Sequence, residues 1–297
     1  MSILRIHILH HENSSHRRLR QTMICHLARR WEKEGHTVNH IFGLRYRRSA
    51  DVLILHVDLS CIPEEYIEFA NRYPRVLNMG LHDIRKRTIS KNLIDRGSPY
   101  DGPVIVKTDL NHGGAPERLL GILPRRRLVS VIRSFKKHLN IESPISIRNP
   151  SDYMIYRHKS DVPGSVFCNE DFVVEKFQPE RHGNEYYQRR YFFLGHAEYN
   201  EIHATSVPIH AGDSDGHCNR YWEEVCIPLE LRRYRKTLKA DYGKIDYVIK
   251  SGRIVVFDVN RTPSSGNIRT DPIARIWTQR IVDRLHTGIG INGSSHG

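Results

Sequence analysis

The stretch GKIDYVIKSGRIVVFDVNRTP, residues 243–263, decides how this chain is read. Two runs rich in Val, Ile and Tyr are parted by Lys250-Ser251-Gly252-Arg253, which is the pattern of a β-hairpin. Asp246, Asp258 and Asn260 interrupt runs that otherwise hold core residues. Side chains repeat every two residues along a strand, so Asp258 and Asn260 share a face. A two-residue Ser251-Gly252 turn would set Asp246 opposite Phe257, on the wrong face. A three-residue loop, Ser251 to Arg253, sets it opposite Asp258. The second register is expected, with a bulge near Gly252.

Two carboxylates and an amide oxygen facing one another repel unless a cation sits between them. All three are hard oxygen donors, suited to Mg²⁺ or Mn²⁺ held together with nucleotide phosphates. The competing reading is the solvated face of an ordinary antiparallel sheet. The core-like neighbours Val255, Val256, Phe257 and Val259, and the NRTPSSG loop that follows, favour the metal.

The chain has 297 residues, 39% hydrophobic and 27% charged, enough for two domains or one composite unit with a real core. No stretch has the apolar length of a membrane span, and the N-terminal MSILRIHILHHENSSHRRLR reads as a first strand, not a signal peptide. The five cysteines are odd in number and form no CxxC pair. A disulfide framework is not expected, and a reducing, cytoplasmic setting is. His217, Cys218 and Cys226 lack zinc-site spacing. The net charge of +13 calls for a polyanionic ligand or a solvated basic surface. Basic residues are spread through HRRLR, RYRR, DIRKR, PRRRL and LRRYRK with no aromatic-studded motif, so nucleic acid is disfavoured as a partner.

Residues 3–9 read as a strand and 16–34 as a helix ending at Gly35. Strands follow at 36–43 and 50–60, Pro63 opens a helix at its first position through about 72, and RVLNMG closes the unit. This alternation predicts a parallel α/β domain over 1–80. Ligands of such sheets sit at the strands' carboxyl ends, which makes His11 and Asn13 of the HHEN turn, and Asp58, candidate substrate neighbours; a plain surface loop is the alternative. A helix is expected around 83–95, strands at GPVIVKTDL, DYMIYR, DFVVEKF and YYQRRYFFLGH, and helices near 228–241 and 271–286. A basic region spans 117–139, and the Gly- and Ser-rich end is expected to fray.

The hairpin resembles the metal-binding end of ATP-grasp enzymes, the superfamily of glutathione synthetase, D-alanine–D-alanine ligase and the ribosomal-protein glutamate ligases. VIVKTDLNHGG resembles that family's lysine strand and glycine-containing loop, FVVEKF its hinge strand, and RRYFFLGH its arginine strand, in the family's order over about 80–275. The resemblance implies an α/β (α+β) chain: a pre-ATP-grasp domain at 1–80, a central subdomain at 81–175 and a C-terminal subdomain at 176–297. It implies a ligase for which ATP and Mg²⁺ (or Mn²⁺) are required, with the ion on Asp246, Asp258 and Asn260.

Lys107, at the end of an apolar strand, would reach phosphate while its stem packs, and backbone N–H groups of His112, Gly113 and Gly114 would approach phosphate oxygens. Backbone groups of Lys176 and Phe177, beside Glu175, would meet the adenine edge, and Glu180 or Glu185 the ribose. Arg190 would serve the phosphates and the reacting carboxylate, with Arg189 as its solvent-facing neighbour or the two exchanged. Lys86 is the choice for the family's earlier lysine, with Lys91 and Lys159 behind it. Arg261, Ser264 and Ser265 would hold the carboxylate substrate, and the loops at 111–116 and 210–220 are candidate lids. The implied partners are a small-molecule or peptide carboxylate and an amine acceptor; a homodimer would match similar enzymes. Asp258 departs from the family's commoner Glu, and the glycine loop lacks the usual run of Gly and Ser. A kinase that stops at a phosphoester, and a basic nucleic-acid-binding module, are the rival readings.

Overall fold

The computed structural model describes residues 2–123, 147, 150–209, 218–223, 226–266 and 268–290, with the backbone alone at 218–220. The N-terminal part is a four-stranded parallel sheet, in the order β2 (Thr37–Phe42), β1 (Arg5–His10), β3 (Val52–Leu55), β4 (Val76–Leu77). β1 and β3 are buried on both faces because helices cover both. Ile6, Ile8, Val52 and Ile54 pack under α2 (Met23–Lys33), while Leu9, Leu53 and Leu55 pack under α3 (Glu64–Ala70). Met23, Ile24, Leu27, Ala28 and Trp31 form the buried helical stripe that makes this possible.

Three expected elements differ from the sequence reading, two of them through a long-range contact. The helix expected over 16–34 is broken into α1 (His16–Leu19) and α2, because Thr22 is extended and bridges Ser264, and Met23 N–H donates to Pro263 O at 2.8 Å. Pro63 precedes its helix, with φ −60° and ψ 144°, and does not occupy the first helical position. The helix expected over 83–95 shrinks to α4 (Lys86–Ile89). Residues 92–94 are drawn against β7 (Phe172–Lys176) instead: Ile94 N–H donates to Val174 O, and Lys176 N–H to Asn92 O.

The middle of the chain is a three-stranded antiparallel sheet, β6 (Met154–Tyr156), β5 (Val104–Thr108), β7. Two short helices flank these strands, α5 (Ala115–Leu119) and α6 (Gly164–Phe167). The last part is a six-stranded antiparallel sheet. β8 (Glu180–His182) pairs with β9 (Glu185–Leu194), and the main order is β11 (Cys218–Glu223), β10 (Ala197–Thr205), β9, β12 (Tyr242–Lys250), β13 (Arg253–Asn260). Tyr191, Phe193, Ile245, Tyr247 and Val259 face α7 (Leu229–Thr237). Phe192 and Leu194 face α8 (Pro272–Leu285), whose Trp277, Ile281 and Leu285 join the core under α2. A parallel α/β sheet followed by two antiparallel units is the fold class expected. No described helix is long and apolar enough to cross a membrane. The basic region at 124–139 and most of the loop at 210–220 lie outside the described residues.

The hairpin pairs Asp246 with Asp258, but not for the reason expected. Lys250 pairs with Arg253, so the turn is the two-residue Ser251-Gly252, with φ of 51° and 76° at the two positions. Positive φ at both residues is the signature of the tight hairpin turn whose twist matches its strands. The bulge sits at the far end of the hairpin. Tyr247 pairs with Val256 and Asp246 with Asp258, leaving Phe257 as the extra residue. That residue switches the alternation: Val255 and Phe257 face one side, then Asp258 and Asn260 face the same side, with Val256 and Val259 on the other.

Candidate active site

That side of the sheet forms one wall of a cavity of about 610 Å³, closed opposite by β5, β7 and the segment that carries Lys86. The volume suits a drug- or nucleotide-sized ligand. A single cross-strand row runs through it: Asp258 on β13, Asp246 on β12, Arg190 on β9 and Glu201 on β10. All but Asp258 are almost fully buried.

Asp246 Oδ2 lies 2.9 Å from Lys244 Nζ, while its Oδ1 is buried with no hydrogen-bond partner among the described residues. Asp258 Oδ1 lies 2.5 Å from Lys86 Nζ. Asn260 Oδ1 accepts from Thr262 N at 2.8 Å. Among the described residues no group of three or more His, Cys, Asp or Glu side chains could hold a metal alone. Two carboxylates and an amide oxygen instead fit a hard cation that takes its remaining ligands from phosphate and water, and an orphaned buried carboxylate oxygen fits such a guest.

Lys86 and Lys107 are already held by carboxylates. Lys86 is buried on α4; burial alone would lower its pKa, and the Asp258 carboxylate reverses that, leaving it raised. Lys107 and Glu175 form a second buried pair at 2.5 Å across β5 and β7, with Lys107 Nζ 5.6 Å from the Phe257 ring. The alternatives for the first lysine lie elsewhere: Lys91 stacks over Tyr234, and Lys159 donates to Arg96 O at 3.0 Å. Arg190 lines the cavity with its guanidinium 6.0 Å from the Trp277 ring centre. Arg189 turns to the opposite side and is buried, not solvent-facing.

The glycine turn is tighter than an open phosphate loop. His112, Gly113 and Gly114 are all left-handed, with φ of 46°, 66° and 70°. Only His112 of the three reaches the cavity, and its N–H is taken by Asn111 Oδ1 at 2.9 Å. Asn111 N–H donates to Ser60 Oγ and Arg118 donates to Gly113 O, so the turn is tied down at both ends instead of hanging free as a lid. Lys176 and Phe177 do line the cavity, but their N–H groups donate to Asn92 O (2.9 Å) and Pro103 O (2.8 Å), leaving other backbone atoms for an adenine edge.

Several expected binders are placed away from the cavity. Glu180 is buried under a two-pronged bond from Arg189, 2.9 Å from Nε and 2.7 Å from Nη2, and accepts from Ile249 N at 2.7 Å. Burial raises its pKa, but Arg189 and the Ile249 N–H outweigh burial, and the net shift is downward. Glu185 opens β9 and does not line the cavity. Arg261 is fully buried and donates to the carbonyls of Val57, Leu59 and Leu81. It clamps the strand end to the N-terminal sheet; burial pulls its pKa down to about 10, with Asp58 opposing. Ser265 is buried against His26 and Gln21, whereas Ser264 lines the cavity. His11 stacks on Tyr66, and Asn13 donates to Leu120 O at 2.8 Å, so the HHEN turn braces α5. Asp58 accepts from Thr262 Oγ1 at 2.6 Å, beside Asn260.

Several solved structures resemble this chain along nearly its whole length. D-alanine–D-alanine ligase from Bacillus anthracis complexed with ATP is 15% identical, covering 95% of this chain and 96% of its own, with a TM-score of 0.43. An ATP-grasp RimK domain protein from Sphaerobacter thermophilus DSM 20745 is 11% identical over 96% and 98%, with a TM-score of 0.44. The macrocyclase MdnC from Microcystis aeruginosa MRC, bound with precursor peptide MdnA, is 9% identical over 94% and 99%, with a TM-score of 0.38. No family model matches the chain, and no curated protein matches it.

Sequence reasoning missed Gln188, Phe257, Glu201 and Trp277. Gln188 sits two residues before Arg190 on the same face, so the period of two that placed Asp258 with Asn260 would have found it. Its Oε1 is buried without a partner among the described residues. Glu201 is fully buried, accepts from the Trp277 indole N–H and lies 2.6 Å from His203 Nε2. It fixes the ring that lines the cavity beside Arg190. No local sequence signal joins residues 201 and 277; only the fold does.

Proposed function

We propose that this chain is an ATP-grasp ligase that uses ATP to activate a substrate carboxylate as an acyl phosphate and joins it to an amine. One observation carries the reading: Asp246 and Asp258 face each other in the same cavity as Lys86, Lys107 and Arg190, and a buried Asp246 oxygen has no partner. Cations gathered around two facing carboxylates suit a polyphosphate accompanied by a divalent ion.

Asp246, Asp258 and Asn260 would hold Mg²⁺, which when bound offsets charge on the nucleotide phosphates and orients them. Lys86 and Lys107 leave their carboxylate partners for phosphate oxygens, and Arg190 offers a planar fork to the γ-phosphate and the incoming carboxylate. A carboxylate oxygen attacks the γ-phosphorus in line, the bond to the β-phosphate oxygen breaks, and ADP leaves. The amine then attacks the acyl carbon, loses a proton, and expels phosphate. The protein's work is positioning and charge stabilisation. Ile105, Val248 and Phe257 supply the apolar walls that keep water from the acyl phosphate.

The test is a panel of amino acids and peptides incubated with ATP, Mg²⁺ and hydroxylamine. Formation of a hydroxamate together with ADP and free phosphate supports the ligase. ADP formed with a stable phosphoester and no phosphate would identify a kinase instead.

A further inference from the structure

We propose that Asp271 and Gln188 bind the amine substrate as an ammonium ion; the assignment rests on the ligase reading above. Among the described residues four carboxylates line the cavity. Three of them hold a lysine: Glu175 with Lys107 at 2.5 Å, Asp258 with Lys86 at 2.5 Å, and Asp246 with Lys244 at 2.9 Å. Asp271 holds no cation among the described residues. Its Oδ1 caps α8, accepting from Ile273 N at 2.8 Å and from Ala274 N at 3.2 Å, and its Oδ2 makes no hydrogen bond there. One ionised oxygen in the cavity is therefore left for a positive ligand.

The cap also decides the sign of the ligand. A helix start attracts anions through its unpaired N–H groups. Here Pro272 has no N–H, Ile273 and Ala274 give theirs to Asp271 Oδ1, and Arg275 gives its own to the Asp271 carbonyl at 3.2 Å. No donor of the first turn remains for a carboxylate or a phosphate.

Gln188 adds a neutral acceptor in the same cavity, its Oε1 buried without a partner among the described residues. The course of α8 brings the two groups to one side of Arg190. Trp277 lies 5.5 Å from the Phe192 ring, 6.0 Å from the Arg190 guanidinium and 6.4 Å from His203, the β10 residue that pairs with Gln188. Past the end of the helix, Gly288 packs so closely on the Leu194 carbonyl that a Cβ would clash with it. The helix therefore runs along β9, and its first residues lie beyond Arg190 toward Gln188. An ammonium shared by a carboxylate and an amide oxygen makes charge-assisted hydrogen bonds. It would stand beside the arginine proposed to hold the reacting carboxylate.

The experiment takes the carboxylate that yields a hydroxamate and follows two reactions. One is trapping by hydroxylamine, which is uncharged at neutral pH; the other is phosphate release with a panel of cationic amines, comprising amino acids, glycinamide and putrescine. Asp271→Asn keeps the cap, because Asn caps a helix as well as Asp does, and removes the charge. It is expected to raise the amine KM about tenfold or more. Its melting temperature, its Mg²⁺-dependent ATP shift and its hydroxylamine trapping should be retained. Gln188→Met, which keeps the bulk and removes the acceptor, should raise the same KM about three- to tenfold. An unchanged amine KM in Asp271→Asn would overturn the assignment, as would a wild type that traps hydroxylamine yet accepts no cationic amine. Loss of the Mg²⁺-dependent shift in that variant would assign Asp271 to the ion and overturn it too. A wild type that gives a phosphoester and no hydroxamate from any carboxylate would overturn the ligase reading itself, and the amine site with it.

Discussion

Lys86 Nζ and Asp258 Oδ1 lie 2.5 Å apart, joining a four-residue helix to the last strand of the sheet across the cavity. Each residue neutralises the other where a nucleotide and its ion are proposed to sit. Binding must therefore exchange partners, with the ammonium moving to phosphate and the carboxylate to the cation. Lys86→Met is expected to weaken ATP binding roughly 10- to 100-fold, the loss of one charged hydrogen bond of about 1.5–3 kcal/mol. Isothermal titration with ATP measures it; an affinity within twofold of the wild type would remove Lys86 from the site.

Arg261 gives a different outcome. Its guanidinium satisfies three carbonyls, of Val57, Leu59 and Leu81, in a fully buried setting. Arg261→Met strands those acceptors and should cost about 3 kcal/mol or more in urea unfolding. The variant protein that remains folded should bind ATP as the wild type does. A loss of carboxylate-substrate affinity without loss of stability would restore Arg261 as a substrate ligand.

The N-terminal sheet carries a pH dependence. His56 is fully buried with neither ring nitrogen hydrogen-bonded among the described residues, its ring 5.1 Å from His10, which shares a 2.8 Å hydrogen bond with His40. Burial, then the charge of a protonated His40, pulls the His56 pKa down to about 3; burial also lowers those of His10 and His40. The unfolded chain binds protons at these histidines before the folded one does. Stability is full above the ordinary histidine value of about 6.5 and falls as pH drops toward 3, by up to about 1.4 kcal/mol per pH unit per histidine. Thermal melts from pH 7.5 to 4.5 follow it, and His56→Phe should flatten the slope. An unchanged slope would show that this residue is not the source.

Phe257 is the inserted residue of the bulge. Deleting it leaves Val256, Asp258, Val259 and Asn260 in regular alternation, with both polar side chains still toward the cavity. The deletion is expected to fold and keep its Mg²⁺-dependent response to ATP, with affinity lowered up to roughly tenfold for the missing ring. Circular dichroism and the ATP thermal shift report the two parts. Loss of the Mg²⁺ response would mean that the bulge itself shapes the ion site.

The strands and the polar face of the hairpin were legible from local alternation, and Lys107 from a charged residue ending an apolar run; Lys86 and Arg190 were named only from the resemblance, and the fold sets both in the lining of the cavity. The turn type was open to reading too, since Ser251-Gly252 is a good two-residue turn; the bulge at Phe257, with no glycine and no sequence mark, concealed it. The breaks at Thr22 and after Ile89 come from pairing with Ser264 and with β7, partners far away in sequence. Glu180 and Arg261 were misjudged for a related reason. A charged residue near a site looks like a ligand until the fold supplies Arg189 or three carbonyls.

The most direct measurement is the rise in melting temperature caused by ATP with Mg²⁺ compared with ATP in EDTA, for the wild type, Asp246→Asn and Asp258→Asn. Ligands that bind only the folded state raise that temperature. The account predicts a Mg²⁺-dependent increment in the wild type that both variants lose while retaining a response to ATP alone. A full increment in both variants would contradict it, because the facing carboxylates would then not hold the ion.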